Sequence, residues 1–342
     1  MLGNNAGNSI RKEGNKRDSY FQAIRGICIL MVIYIHSAAG DKGAPWELNY
    51  WIAVRQFCSI AVALFLVLSG YFSADSIGGG QSRYRKLLIP YLCWSAFYAV
   101  VNNLDSLQLG DCVKRIVTGR ASVQLYFILV LVQLNLITPL LKRAIGCKAV
   151  SALILMASPA YFIFFNFLQL NCGFETDWKG RDFCAWVSYY YLGMLFRAGR
   201  LRVPVRRYTM LAAVGLALCF TEGFYFSYTA GYVPMGVGQL KVGTFLLACG
   251  VAGFLFASYG KIHFPPGIIE VGNDSYGIFY LHTFVLKCEN VLLRSCLGAG
   301  ELPLPVIHAI QVSATAVICI LVIRLARKCI KKKDILLWIG FV

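Results

Sequence analysis

The sequence predicts an all-α, polytopic integral membrane protein, a bundle of about ten transmembrane helices with both termini in the cytoplasm. Of the 342 residues, 58% are hydrophobic and only 14% are charged, whereas about a quarter of the residues in a soluble domain are charged. Apolar runs near twenty residues, long enough to cross a bilayer, recur along the chain. The net charge of +17 is spread over short basic clusters between these runs. That pattern is typical of loops beside an anionic membrane leaflet, and it argues against binding of nucleic acid.

The apolar runs divide the chain into a short N-terminal tail (1–19), a ten-helix bundle (20–324) and a basic C-terminal tail (325–342). The sixth run is short and a polar loop follows the fifth, so these two are the weakest spans. The predicted spans are 20–39, 51–72, 87–104, 123–141, 149–170, 183–197, 208–227, 238–258, 274–293 and 304–324.

The basic residues of the loops indicate the orientation of the bundle. With the N-terminus inside, twenty-two Lys and Arg residues fall on the inner side and seven on the outer side. Such a bias is typical of cytoplasmic loops. An even number of spans then places the C-terminus in the cytoplasm as well.

The first span carries two ionisable residues, Arg25 and His36, eleven positions apart. At about 100° per residue they lie within about 20° of the same helix face, roughly 16 Å apart along it. Because an ionisable group inside a bilayer is costly, it usually faces the bundle interior and indicates a functional site. The spacing therefore predicts a polar track through the bundle.

Further candidates lie in the second span and in the loop that follows it. Arg55, just inside the outer boundary, either reaches the lipid headgroups or faces a polar cavity, and the sequence leaves both open. Ser69 could hydrogen-bond across helices, although packing alone is the simpler interpretation. Arg83, Arg85 and Lys86 are explained by topology, but arginine forks of this kind also match phosphate oxygens.

Two later spans add Tyr126 and a second intramembrane histidine, His282. A lone buried histidine is often a core residue, but two in one small bundle favour a functional cavity. No role is predicted for the charged residues Glu222, Lys241 and Lys287. The 13 cysteines include no CxxC pair, and the four histidines have neither close spacing nor neighbouring cysteine pairs, so no metal site is expected.

Six stretches, in this order, resemble the acyltransferase 3 family of membrane acyltransferases that O-acetylate glycans. Within that family the sequence looks similar to the enterobacterial common antigen acetyltransferase branch. The first stretch contains the family's pattern of Arg, ten residues and His, and the stretches are IRGICILMVIYIHS, RQFCSIAVALFLVLSGYF, RYRKLLIPYLCWSAFY, LYFILVLVQLNLITPLL, YYYLGMLF and SYGIFYLH.

The resemblance implies about ten transmembrane helices in the cytoplasmic membrane of a bacterium. It also implies a cytoplasmic acyl-CoA donor and transfer to a hydroxyl of a glycan or lipid-linked glycan. Acetyl-CoA would be a donor substrate, with no bound cofactor and no nucleic-acid partner. Carried over, Arg25 and His36 are the catalytic pair, and the basic residues before Pro90 would hold the donor phosphates. The family's usual His-Leu-Trp-Phe is here the segment 124–127, QLYF, and its usual Pro is Ala63.

The chemistry leaves alternatives open. His36 would act either as a general base on the acceptor hydroxyl or as a transient nucleophile that relays the acyl group. Arg55 or Tyr126 could stabilise the developing oxyanion. A polysaccharide exporter, flippase or acyl-group transporter without covalent chemistry would also use a polar track. A purely structural role for the buried charges is the third hypothesis.

Overall fold

The computed structural model describes residues 18–37, 44–74, 81–102, 108–297 and 302–341. At residues 81–83, 294, 296 and 297 it describes the backbone alone. The described part of the chain is helical and contains no strand. The predicted all-α class is therefore confirmed.

Fifteen α-helices form within the described ranges. A 3-10 turn (Phe183–Ala185) precedes α8, and a π-helical segment (Tyr225–Thr229) extends α9. The α-helices are α1 (Ser19–His36), α2 (Pro45–Cys58), α3 (Ala61–Ser73), α4 (Gln81–Val101), α5 (Leu109–Val117), α6 (Tyr126–Ala144), α7 (Lys148–Cys172), α8 (Val187–Arg197), α9 (Val205–Phe224), α10 (Val233–Gly236), α11 (Val242–Ala257), α12 (Pro266–Asn273), α13 (Ser275–Leu297), α14 (Leu304–Cys329) and α15 (Lys333–Trp338).

Six described segments are long and apolar enough to cross a membrane. They are Ser19–His36, Pro45–Ser73, Tyr126–Ala144, Lys148–Cys172, Val205–Thr229 and Leu304–Cys329. The apolar helix α11 is shorter than these. Helices overlap all ten of the predicted spans. The protein is thus a multi-pass membrane protein, while the number of ten crossings stays a prediction.

Helix α1 lies at the centre of the bundle and packs against α3, α12, α13 and α14. Its first turn is capped by Asp18, whose carboxylate accepts a hydrogen bond from the backbone N–H of Tyr20 at 2.9 Å, as an N-cap residue does. Ala23, Cys28 and Ile29 are fully buried. One helix therefore runs through the middle of the core with its polar residues at fixed positions along it.

Two glycines let α1 and α12 cross at backbone contact. A Cβ atom on Gly272 would lie 1.7 Å from the carbonyl oxygen of Gln22, and one on Gly26 would lie 2.2 Å from the carbonyl oxygen of Ile268. No larger side chain fits at such distances, and small residues are how membrane helices approach closely. The crossing fixes the position of α12 against the first two turns of α1.

The charged residues without a predicted role make structural hydrogen bonds. Lys241 is fully buried, and its ammonium donates to Gln56 Oε1 at 2.5 Å and to the carbonyl of Gly236 at 2.6 Å. Glu222 accepts from the backbone N–H of Gly243 at 2.8 Å, at the start of α11, where a carboxylate is favourable. Lys287 donates to Asn102.

The segment predicted as a basic C-terminal tail is folded against the bundle. Helix α14 continues to Cys329, and the short α15 packs against α4. The indole of Trp94 donates to the carbonyl of Ile339 at 3.0 Å. Arg327 donates to the carbonyl of Phe341 at 2.8 Å and to Asp274 Oδ1 at 2.5 Å. These contacts hold residues near the end of the chain beside α12 and α13.

Candidate active site

A cavity of about 590 Å³ lies along α1, and its wall includes both Arg25 and His36. The walls come from the segments α1, α2, α3, α4, α6, α12 and α13 and from the C-terminal segment. The sequence-predicted site residues that line this one cavity are Arg25, His36, Arg55, Ser69, Lys86 and Tyr126. The polar face of the first span thus borders an internal space.

The Arg25 end of the cavity is basic and well organised. The guanidinium lies over the ring of Phe72, 5.3 Å from its centroid. With the Gln22 amide oriented so that both of its polar atoms are satisfied, its oxygen accepts from Arg25 Nη1 at 3.2 Å. Its nitrogen then donates to the carbonyl of Gly272 at 3.1 Å. The glycine crossing of α1 and α12 therefore positions Arg25 through Gln22.

Two more cations line the same cavity near this end. Arg327 pairs with Asp274, which follows the last residue of α12. Lys86 lies close by, because its carbonyl oxygen accepts from the hydroxyl of Tyr276 at 2.8 Å. Asp274 offsets the charge of Arg327, and Arg25 and Lys86 leave this end of the cavity with a net positive charge, which favours anionic groups such as phosphates.

The other end of the cavity is lined by His36, and His282 packs against His36 without lining the cavity itself. The ring centroids of His36 and His282 are 5.4 Å apart, with the planes tilted by 38°. His282 is fully buried and its Nδ1 lies 3.0 Å from the carbonyl oxygen of Ile278. A carbonyl only accepts, so Nδ1 carries the proton and Nε2 presents a lone pair. That Nε2 atom is buried and has no hydrogen-bond partner among the described residues.

Arg55 lies beside His36 and lines the cavity. Its Nη1 donates to the carbonyl of Ile35 at 2.7 Å, and its Nε donates to the carbonyl of Val237 at 3.2 Å. The first of these bonds satisfies a carbonyl at the C-terminal end of α1, where a cation is favourable. The structure therefore places Arg55 at the cavity, the alternative to the headgroup position that the sequence left open.

Tyr126 and Gln239 form a hydrogen-bonded pair at the cavity wall. The Gln239 amide donates to the tyrosine hydroxyl at 2.7 Å, which leaves the hydroxyl proton of Tyr126 available for another acceptor. Gln124, which stands where the family usually has His, bonds to Ser122 at 2.6 Å and to Thr283 at 2.8 Å. Its amide therefore works as a link between helices and also lines the cavity.

The remaining predicted residues have separate placements. The hydroxyl of Ser69 donates to the carbonyl of Phe65 within its own helix at 2.8 Å. Arg85 is exposed and does not line the cavity. The side chain of Arg83 lies outside the described residues. Among the described residues, no group of three His, Cys, Asp or Glu could hold a metal ion.

Sequence reasoning missed several polar residues that line the cavity, among them Gln22, Gln239, Asn273 and Arg327. Gln22 could have been found, because it lies three residues before Arg25 and so on the same helix face. Of the other three, Gln239 lies in a loop, Asn273 is the last residue of α12 and Arg327 lies near the end of α14. No pattern in the sequence links those segments to α1.

The structure is thus that of a helical membrane protein with a cavity that is basic at one end and carries an imidazole at the other. The chain belongs to the acyltransferase 3 family, whose model, described as an acyltransferase domain, matches residues 18–326. Among curated proteins and among solved structures, no match is found. The enterobacterial common antigen branch stays a prediction.

Proposed function

We propose that the protein is a membrane-embedded O-acyltransferase. It moves an acetyl or other acyl group from cytoplasmic acyl-CoA to a hydroxyl of a cell-surface glycan or of its lipid-linked precursor. The observation that carries the proposal is the single cavity that holds Arg25 at one end and His36 at the other. The family assignment supports the acyltransferase class.

The proposed topology has ten membrane crossings in a bacterial cytoplasmic membrane, with both termini in the cytoplasm. The helices that overlap the predicted spans support this count, and the excess of basic residues in alternate loops supports the orientation. The basic end of the cavity then faces the cytoplasm, where acyl-CoA is available. The His36 end lies toward the outer face.

In this arrangement Arg25, Lys86 and Arg327 hold the phosphates of the donor, with Arg83 and Arg85 nearer the cytoplasmic surface. The pantetheine arm follows α1, and the thioester reaches His36 about 16 Å further along the helix. Charge-assisted hydrogen bonds from arginine forks suit phosphate oxygens. The mostly apolar wall between the two ends suits an uncharged arm.

At the thioester, His36 acts as general base. Its ring takes the proton of the acceptor hydroxyl while the hydroxyl oxygen attacks the carbonyl carbon. The carbon–sulfur bond then breaks, and the CoA thiolate takes the proton from the imidazolium. Arg55 and the hydroxyl of Tyr126 stabilise the negative charge on the carbonyl oxygen. A relay through an acyl-imidazole would use the same groups in two steps.

The test follows release of CoA thiol from acetyl-CoA by purified protein in nanodiscs, with and without a cell-envelope glycan extract. Wild type is compared with His36→Ala and Arg25→Ala. The matched controls are His263→Ala and Arg207→Ala, which alter exposed residues outside the cavity. We expect glycan-stimulated release that both cavity variants abolish and both controls retain.

Two other results would refute the proposal. If neither cavity substitution affects the release of CoA, then neither Arg25 nor His36 takes part in the reaction. Failure of the folded wild-type protein to bind acetyl-CoA would favour the transporter, because a transporter needs no thioester site.

A further inference from the structure

A second cavity, of about 520 Å³, lies beside the first on the loops that precede α8 and α11. Its walls are mainly polar and include Gln169, Glu175, Lys179 and Tyr232. Gln239 lines both cavities. In the proposed orientation these loops belong to the outer face of the membrane, on the same side as His36.

The polar side chains of this second cavity are already held in place by one another. Lys179 donates to Asn166 Oδ1 at 2.9 Å and to Gln169 Oε1 at 2.6 Å. Glu175 Oε1 accepts from the hydroxyl of Tyr232 at 2.9 Å and from Gln169 Nε2 at 3.2 Å. Side chains fixed in this way form a preorganised surface of donors and acceptors, which lowers the entropic cost of binding.

The charges of the second cavity balance, in contrast to the basic end of the first cavity. The ammonium of Lys179 lies near the carboxylate of Glu175, and the carboxylate of Asp177 pairs with Arg120. Burial lowers the pKa of Lys179, and the charge of Glu175 partly offsets that effect. A neutral ligand with many hydroxyls matches such a surface better than an anion, which would meet two carboxylates.

Gln239 connects the two cavities and has an unused acceptor. Its amide nitrogen is bound to Tyr126, whereas its Oε1 atom is buried without a hydrogen-bond partner among the described residues. A buried carbonyl oxygen left unpaired is unfavourable. A hydroxyl group that enters from the second cavity would donate to it.

This oxygen is close to the catalytic end of the first cavity. Val237, two residues before Gln239, accepts from Arg55, and Arg55 also bonds to the carbonyl of Ile35, the neighbour of His36. Gln239 also lines the cavity that contains His36 and bonds to Tyr126, so a hydroxyl held at Gln239 enters the same cavity as the groups that would activate it.

We propose that the second cavity binds the acyl acceptor, a neutral polyhydroxylated molecule of the carbohydrate class, and that Gln239 Oε1 accepts a hydrogen bond from the hydroxyl that is acylated. This inference rests on the proposed function and deepens it. The acceptor site is separate from the donor site, so the two substrates reach His36 from opposite sides of the membrane. The bonds formed and broken are those of the acyl transfer described above.

The experiment measures CoA release from acetyl-CoA with a panel of soluble acceptors. The panel contains the methyl glycosides of glucose, galactose, mannose and N-acetylglucosamine, with methyl glucuronide as the anionic comparison. The cavity variants are Gln169→Ala, Glu175→Gln and Gln239→Met. The matched control is Asn171→Ala, an exposed residue near the end of α7 whose amide bonds only to its own helix. Binding of acetyl-CoA is measured separately for each variant.

We expect a neutral glycoside to accelerate CoA release more than the glucuronide does. Gln169→Ala and Glu175→Gln should each raise the half-saturating glycoside concentration about tenfold, the loss of one well-placed hydrogen bond. Gln239→Met should lower the maximal transfer rate at saturating glycoside. Gln169→Ala, Glu175→Gln and Asn171→Ala should bind acetyl-CoA as wild type does.

Different results separate the failure of this inference from the failure of the proposed function. Half-saturating concentrations that do not change in Gln169→Ala and Glu175→Gln, with acetyl-CoA bound normally, would overturn the inference. Acceleration by the glucuronide alone, or by none of the glycosides, would overturn it as well. A wild-type protein that neither binds nor cleaves acetyl-CoA would refute the acyltransferase itself.

Discussion

The close crossing of α1 and α12 gives a prediction with a matched control, because α12 carries one glycine inside the crossing and another outside it. In Gly272→Ala, the new Cβ would lie 1.7 Å from the carbonyl oxygen of Gln22. The two backbones would have to separate by about 1.5 Å to restore van der Waals contact. In Gly267→Ala, on the first turn of the same helix, the new Cβ meets nothing within 4 Å.

The expected cost of Gly272→Ala is about 3 kcal/mol of folding free energy, the upper part of the range for overpacked sites. Gly267→Ala should be neutral or stabilising by up to about 1 kcal/mol, because alanine favours the helix. The separation would also displace the carbonyl of Gly272 that holds Gln22, and with it Arg25. A shift of about 1 Å at a substrate-positioning group can cost about 100-fold in rate.

The assay is thermal unfolding in detergent, with acetyl-CoA turnover measured on the same preparations. We expect Gly272→Ala to unfold about 5 °C or more below wild type and to lose turnover, while Gly267→Ala keeps both. If Gly272→Ala unfolds at the same temperature as wild type and keeps full turnover, the helices do not cross at backbone contact. The placement of Arg25 at the basic end of the cavity would then be refuted.

Three further predictions concern the polar groups around the cavity. Arg55→Met removes the cation proposed to stabilise the carbonyl oxygen and leaves two backbone carbonyls without their donor, so turnover should fall about 100-fold. Arg55→Lys should be intermediate, and equal rates in both variants would contradict this role. Lys241→Met leaves the oxygen of Gln56 unpaired in the core and should cost about 1–3 kcal/mol, measured as a lower unfolding temperature; an unchanged temperature would contradict the structural role. Deletion of residues 330–342 removes the carbonyl bound by Trp94 and part of the cavity wall. The dissociation constant of acetyl-CoA should therefore rise by about tenfold, and an unchanged affinity would exclude this segment from the donor site.

The helical period explains why part of the candidate site was visible in the sequence. Arg25 and His36 are on one helix, and their spacing places them on one face whatever surrounds the helix. Arg55 was ambiguous because lipid headgroups and a polar cavity satisfy an arginine equally well at the end of a span. Its two bonds to carbonyl oxygens, which decide between them, come from segments distant in the chain.

The all-helical bundle follows from hydropathy, because the bilayer requires every backbone polar group to be paired within the segment. Other features depend on tertiary contacts, which no local pattern in the sequence indicates. The segment after residue 324 was predicted as a basic tail, and the apolar run near its end, 335–342, is too short to span a bilayer. Its fold depends on contacts with α4 and on the bond from Arg327 to Asp274. Gln239 likewise lies in a loop, where the sequence has no period to interpret.

The position of Arg25 and His36 on one unbroken helix makes α1 a molecular ruler. Inserting one residue between them would lengthen the interval by about 1.5 Å and turn one group away from the cavity by about 100°. The protein therefore cannot adapt its reach by bending a loop. Under the proposed function, a donor would be selected by the length between its phosphates and its acyl carbon. A small activated donor such as acetyl phosphate would span too little of α1 to be held at one end and react at the other.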